Sequence, residues 1–319
     1  MTVLVTGGAG YIGSHVVRLL QQAGNQVLVL DNLSSGLESR LGSAKLAQVD
    51  LAAADATALL TALIRDHGVD SVIHLAARKQ VGESVQKPEW YFEQNIGGMA
   101  HLLEAMQATG VKKLVFSSSA ATYGIPTVDY VDEDYDCKPI NPYGQTKLIG
   151  EWMVANAARA WGLRGVNLRY FNVAGAGWPD LADTAVMNLV PIVLAALRDS
   201  KAPIVFGDDY PTDDGSCVRD YVHVLDLAEA HIEALSYLDR DDRKPTFNVG
   251  TGSGSSVFEV LNEIKKVSGN DFAIDVQARR AGDPPYLCAD VSRIKAELGW
   301  SAKFNLHDII QSAWDAQAN

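Results

Sequence analysis

Along the first half of the chain, short β-branched apolar runs alternate with stretches whose apolar positions recur every three or four residues. The runs Thr2–Thr6, Gln26–Asp31, Lys45–Asp50, Ser71–Ala76, Lys113–Ser118 and Val166–Phe171 predict strands. Several are continuously apolar rather than alternating, as parallel strands buried on both faces should be. Between them Phe92, Ile96, Met99, Leu103 and Met106 build a single apolar stripe, which predicts a helix across this region. Repeated βαβ units predict an α/β fold with a doubly wound parallel sheet. After about Asn172 the rhythm changes. Loops rich in Gly, Pro and Asp at 174–183, 207–215, 250–256 and 282–285 separate shorter elements. They predict a smaller α/β lobe whose loops face a cleft. The expected division is 1–171 and 172–319, with elements free to cross between the two. No Gly/Ser linker, internal repeat or low-complexity tract separates them.

Composition narrows the partners more than the fold. The chain has 319 residues, 47% of them hydrophobic and 21% charged, ordinary for a globular protein with a substantial core. A net charge of −12 disfavours nucleic acid or an anionic membrane as the main partner. An anionic ligand would have to be held by local cations and backbone amides against that field. No basic, apolar leader precedes Val3–Val5, and no apolar run approaches the roughly 18 residues of a membrane span. Cys137, Cys217 and Cys288 are odd in number and far apart, which fits neither a disulfide framework nor a metal-binding pair. A reducing cytoplasm and no metal are expected.

The first strand runs into Gly7-Gly8-Ala9-Gly10-Tyr11-Ile12-Gly13, after which a helical pattern begins. Glycines at 7, 10 and 13 permit a tight turn, close approach of backbone to a pyrophosphate, and close packing of helix on strand. The helix start adds free amides and the positive end of its dipole. A glycine pattern alone is weak evidence, but its place at the first strand–helix junction of a βαβ series makes a dinucleotide site the expectation. Asp31 closes the next strand, where a carboxylate can bind both ribose hydroxyls of adenosine and would repel a 2′-phosphate. No Arg follows within Asn32-Leu33-Ser34-Ser35-Gly36, so NAD is favoured over NADP. The alternative for Asp31 is that it merely ends a strand. Asp50, at the next predicted strand end, can reach the adenine edge by the same logic.

Tyr143 and Lys147 lie four apart after Pro142, a residue suited to open a helix, so both project from one face of its first turns. A phenol with a pKa near 10 is a poor base at neutral pH, and a neighbouring ammonium favours the phenolate. A Tyr-x-x-x-Lys spacing alone is common by chance. Upstream, Ser117-Ser118-Ser119 ends a predicted strand, where ligands of open parallel sheets bind. There Ser119 can hydrogen-bond a reacting hydroxyl and complete a Ser-Tyr-Lys set. Capping or turn formation is the alternative for Ser119 and stays open for Ser117 and Ser118.

The glycine loop, the Ser-Ser-Ser-Ala strand end, Tyr143-x-x-x-Lys147 and Arg169-Tyr170-Phe171-Asn172 together resemble the extended short-chain dehydrogenase/reductase family, with its Rossmann fold. Within it, the chain is similar along essentially its whole length to the 4-epimerases of UDP-glucose and UDP-galactose. Val81-Gly82-Glu83-Ser84 with Lys87-Pro88, the run Phe206–Gly215, Val218-Arg219-Asp220-Tyr221-Val222-His223-Val224 and Arg279-Arg280-Ala281-Gly282-Asp283 carry that likeness most specifically. The resemblance implies retained NAD contacted by Gly7, Gly10, Tyr11, Ile12, Gly13, Asp31, Asn32, Ser35, Gly36, Asp50, Leu51, Leu75, Ala76, Lys79, Tyr143, Lys147 and Tyr170. It implies a UDP-sugar held by Ser119, Tyr143, Asn172, Asn188, Leu189, Val205, Phe206, Arg219, Arg280, Asp283 and Leu287. Arg219 and Arg280 are expected on the diphosphate, Val205–Phe206 beside uracil and Asp283 on the uridine ribose, whereas a surface ion pair is expected for Arg279. Gln94 departs from the paired asparagines of many relatives, so no contact is assigned to it. A homodimer through helices around 92–108 and 144–160 is also implied.

The family's shared first step is removal of the sugar 4-hydroxyl proton by the tyrosine as C4 is oxidised. Dehydratases and decarboxylating relatives carry acids just after the strand-end Ser/Thr, where this chain has Ala120-Ala121. Without such an acid the expected outcome is reduction from the other face, which is 4-epimerisation. UDP-GlcNAc/UDP-GalNAc remains an alternative pair, because the gate position Leu287 is neither aromatic nor small. Another nucleotide-sugar oxidoreductase or lyase, or a non-catalytic NAD sensor, is the remaining alternative.

Overall fold

A computed structural model describes residues 1–280 and 282–317. Ala281, within the Arg279–Asp283 motif, lies outside the described residues. The chain forms two compact units, one of residues 1–124, 137–169 and 228–247, the other of 125–136, 170–227 and 248–319. The main passage, at 169/170, falls two residues from the division expected at 171/172. In addition, segment 125–136 belongs to the second unit and 228–247 to the first.

The first unit is built on strands β1 (Thr2–Thr6), β2 (Gln26–Asp31), β3 (Lys45–Gln48), β4 (Ser71–His74), β5 (Lys113–Ser119), β7 (Arg164–Tyr170) and β11 (Thr246–Val249). They form a seven-stranded sheet of order β11-β7-β5-β4-β1-β2-β3, and each registered pair from β5 to β3 is parallel. The order reverses beside β1, the crevice where doubly wound sheets bind ligands. Alternate strand residues serve opposite faces. Leu4, Leu28, Leu30, Val72, Leu114 and Phe116 share a core with helices α2 (Ala56–Asp66), α5 (Gly98–Thr109) and α6 (Pro142–Trp161). On the opposite face Val29 and Val17 of α1 (Tyr11–Gln22) both crowd Gly8, and Ser117 bonds His231 of α8 (Val224–Tyr237).

Several strands end earlier than their apolar runs suggest, for local reasons. The run Lys45–Asp50 is ladder only to Gln48, and Asp50 instead accepts the Ala52 amide in a side-chain turn. The run Ser71–Ala76 stops at His74, and Ala76 N turns to the Thr6 side chain. The helix expected through 92–106 is interrupted. Helices α3 (Val81–Gln86) and α4 (Pro88–Phe92) lead into a π turn at Glu93–Gly97 before α5 begins. Such turns insert a residue into the ladder, and this one buries Asn95 while leaving Ile96 only half-buried.

The second unit contains β6 (Tyr130–Val131), β8 (Asn172–Ala174), β10 (Val218–His223), β12 (Gly254–Ser256) and β14 (Tyr286–Ala289), a five-stranded sheet organised around β10. A separate pair joins β9 (Ile204–Phe206) to β13 (Asp275–Gln277). Its core is formed by Val190, Val193 and Leu194 of α7 (Leu189–Arg198), Val260, Leu261 and Ile264 of α9 (Val257–Ser268), and Ile309 and Ile310 of α11 (Leu306–Asp315). Helix α10 (Ser292–Leu298) completes the series. Buried Asp220 accepts amides of Thr251, Gly252 and Ala289, tying the 250–253 loop to the central strand.

Candidate active site

The glycine loop connects β1 to α1 with contacts no side chain could share. A Cβ on Gly7 would lie 2.7 Å from Ala76 N, and one on Gly13 would lie 2.2 Å from Gly7 O. Gly10 precedes the helix in an extended conformation and provides no side-chain cap, so the first amides of α1 face the crevice unclaimed by a cap. Tyr11 is buried and Ile12 half-buried at the helix start. At the end of β2, Asp31 is buried, and its two carboxylate oxygens accept the Ala9 and Leu33 amides at 3.0 and 2.9 Å. These bonds orient the carboxylate and leave further lone pairs for hydroxyl donors. Asn32 donates to Asp50 across 3.3 Å, Ser35 is exposed and Gly36 is buried against Ala9. Leu51 is buried beyond β3, while Leu75 and Ala76 lie directly beyond β4 beside Gly7. The tight turn, the amides and the oriented carboxylate fit a dinucleotide. Lys79 is exposed.

Ser119, Tyr143 and Lys147 are all buried in the first unit. Helix α6 begins with Asn141 accepting the Gly144 amide at 2.8 Å and Pro142 in its first turn. Further along, a Cβ on Gly150 would lie 2.5 Å from the Phe116 ring, so glycine there lets α6 lie against β5. This brings Lys147 Nζ within 2.7 Å of the Ser117 carbonyl oxygen and 5.9 Å from the Tyr143 ring centre. Ser119 accepts the Ala121 amide at 3.2 Å and favours the ionised form of the Tyr143 phenol. The capping alternative for Ser119 is thus present in the structure. Ser117 and Ser118 are tied up elsewhere, to His231 at 2.6 Å and to Glu151 at 2.5 Å.

Burial opposes the ionisation expected here. It pushes the Tyr143 phenol above its ordinary range, against the lowering effect of Ser119. Burial also pulls Lys147 down to about 7, with the Glu151 charge acting in the other direction. A charge on either group offsets the desolvation of the other, so the phenolate is best sustained while Lys147 keeps its proton.

Sequence reasoning missed two supports of this cluster. Asn95 accepts the Arg78 amide at 2.8 Å and donates to the Arg78 carbonyl and to Thr146 Oγ1, each at 3.0 Å. It thereby links the loop after β4 to the turn of α6 between Tyr143 and Lys147. Glu151 pairs with Arg169 through bonds of 2.9 and 2.6 Å, and both are buried. The available signal was a carboxylate four residues after Lys147 on the same face of a helix.

In the second unit Arg219 is held by the Val218 and Pro284 carbonyls, each at 2.8 Å, and stands 3.7 Å from Asp283. Arg280 bonds Asp283 at 3.0 Å and lies 4.8 Å above the Phe206 ring. Asp283 thus joins the two guanidinium groups. Leu287 is half-buried and pairs with Arg219 across β14 and β10. Val205 is buried, Leu189 half-buried at the start of α7, and Tyr170 half-buried. Asn172 and Asn188 are exposed, and Asn188 precedes α7 without a capping bond. Arg279 makes an ion pair with Asp209 at 2.5 Å and stacks on Tyr210.

Known proteins resemble the whole chain. The UDP-glucose 4-epimerase of Lactobacillus helveticus is 46% identical over 98% of this chain and 96% of its own length. That of Azospirillum brasilense is 44% identical over 98% and 90%. A solved UDP-glucose 4-epimerase from Stenotrophomonas maltophila, with bound NAD and formylated UDP-arabinopyranose, superposes with a TM-score of 0.95 at 40% identity, covering 100% of this chain and 98% of that one. The UDP-Glc/GlcNAc 4-epimerase of Campylobacter jejuni gives a TM-score of 0.88 at 38% identity, with 99% of each chain covered. Residues 3–250 match the family described as NAD dependent epimerase/dehydratase. With that match and these identities, the chain belongs to the NAD dependent epimerase/dehydratase family.

Proposed function

We propose that the protein interconverts UDP-glucose and UDP-galactose by NAD-dependent 4-epimerisation. The observation that carries this reading is the buried Ser119–Tyr143–Lys147 set at a strand end whose following turn, Ala120–Thr122, supplies no carboxylate. Tyr143 Oη takes the proton of the sugar 4-hydroxyl, and Ser119 Oγ orients that hydroxyl through a hydrogen bond. Lys147, anchored on the Ser117 carbonyl, holds positive charge beside the forming phenolate. NAD held by the glycine loop and Asp31 would supply a reversible two-electron acceptor for C4. With no acid beside C5 and C6 to drive elimination, the 4-keto sugar turns over, which presents the opposite face of C4 for reduction, and Tyr143 returns the proton to O4. Arg219 and Arg280 hold the diphosphate, since guanidinium geometry matches phosphate oxygens. Asp283 and Phe206 hold the uridine. Asp31 and the glycine loop hold the dinucleotide.

Purified protein given UDP-galactose without added cofactor should yield UDP-glucose with no accumulation of reduced cofactor. Accumulated NADH, or a dehydrated sugar, would replace this reading with the oxidoreductase or lyase alternative. Leu287, neither aromatic nor small, keeps the N-acetylated pair as the alternative substrate. Turnover of UDP-GlcNAc measured beside UDP-glucose separates the two, and activity confined to the acetylated pair would reverse the ranking. Pairing of α6 with a second copy would cover the indole of Trp152, which is 57% exposed. No helix among the described residues is long and apolar enough to cross a membrane. The free thiols of Cys137, Cys217 and Cys288 support a cytoplasmic setting.

A further inference from the structure

The Arg78 side chain spans the crevice at the switch point of the sheet. Its backbone is fixed at both polar atoms by Asn95, at 2.8 and 3.0 Å. From the loop beyond β4, its Nη1 reaches Ser34 Oγ at 3.0 Å, in the loop beyond β2. Strand β1 lies between β4 and β2, so the side chain crosses about two strand spacings of ~4.8 Å each. What lies between is the glycine loop. One flank packs Ala76 against Gly7, and the other ties Leu37 N to Ala9 O at 3.0 Å.

The guanidinium is stacked on Trp90, 4.7 Å from the ring centre, and Lys87 lies 5.4 Å from the same ring. Its hydrogen-bond partner at Ser34 is a neutral hydroxyl, and among the described residues no carboxylate pairs with it. Glu83, whose carboxylate feels the Arg78 charge, already binds Lys87 and Tyr91. Arg78 therefore holds a full positive charge, pre-oriented by an aromatic face, with most of its five donors unspent. In a chain of net charge −12, such a cation beside a phosphate-binding turn has a specific use.

We propose that Arg78 is a clasp over the pyrophosphate of the bound dinucleotide, latched on Ser34, that retains the cofactor between turnovers. This rests on the NAD reading above. A cofactor reduced in one half of the cycle must stay until it is reoxidised, so slow release has direct value to an epimerase. A guanidinium reaching over the phosphates opposes dissociation by charge-assisted hydrogen bonds that must break before the ligand leaves.

The test is the release rate of labelled NAD, chased by excess unlabelled NAD, from parent protein, Arg78→Met and Ser34→Asp. Met keeps the packing on Trp90 and removes the charge. Asp, at an exposed position, offers the guanidinium an anionic partner that competes with phosphate. Both variants should release NAD about tenfold faster or more. Release from the parent should quicken with added salt, and Arg78→Met should lose much of that dependence, an effect that mere loosening of the loop would not produce. Parental release rates in both variants would overturn the clasp while leaving the NAD reading intact. A parent protein that retains no NAD would overturn the cofactor reading and the clasp together.

Discussion

Lys147 donates from Nζ to the main-chain oxygen of Ser117 at 2.7 Å, so the end of β5 fixes the position of the cation that Tyr143 depends on. Burial already draws Lys147 to about 7, and the neighbouring Glu151 charge keeps it from falling further. Lys147→Met removes the charge and leaves the phenol buried alone. Turnover should fall about 100-fold, and the remaining activity should rise toward alkaline pH, where solvent base can ionise Tyr143. A pH–rate profile superimposable on the parent's would remove Lys147 from the chemistry.

Tyr143→Phe deletes the proton acceptor and leaves the ring in place. Epimerase turnover should drop by about 10²- to 10⁴-fold with little change in thermal stability. Near-parental turnover in steady-state assays would show that another group takes the 4-hydroxyl proton.

The fold was largely legible because its signals are local. Continuous apolar runs marked buried parallel strands, and Gly7–Gly13 after the first of them marked the crevice. Tyr143 and Lys147 were legible through their helical spacing, and the Pro142 start confirms why both face one way. What stayed hidden depends on long-range pairing. Asn95 reads as one more polar residue in a helix, and only the π turn buries it against Arg78 and Thr146. Arg169 was visible as part of a motif, but its bond to Glu151, 18 residues away, was not. Nor could spacing show that burial raises the Tyr143 phenol, because desolvation is a property of the packed site.

Breaking the Glu151–Arg169 pair should be costly. Both side chains are buried, and Arg169 also lies 4.9 Å from the Tyr123 ring centre. Arg169→Met strands a carboxylate in the interior, which should cost about 3–5 kcal/mol of unfolding free energy. The double variant Glu151→Leu/Arg169→Met should recover much of that loss. Urea denaturation of the two variants checks both statements, and equal losses would contradict them.

His74 supplies a pH dependence of stability. Burial, reinforced by the Lys147 charge, holds it at about 3, below its ordinary 6.5. Above 6.5 the ring is neutral in folded and unfolded chains alike. As pH falls from 6.5 toward 3, only the unfolded chain takes up the proton, so stability declines by up to ~1.4 kcal/mol per pH unit. His74→Asn should flatten this acid limb in denaturation curves collected between those values. An unchanged slope would assign the acid sensitivity to other groups.

The central claim is that the hydrogen removed from C4 never exchanges with solvent. Turnover of UDP-galactose in heavy water, followed by mass and NMR analysis of both recovered sugars, tests it most directly. Complete epimerisation with no carbon-bound deuterium at any ring position is expected. Deuterium at C4 would mean that the hydrogen there came from solvent, and storage and return of the C4 hydrogen would be ruled out.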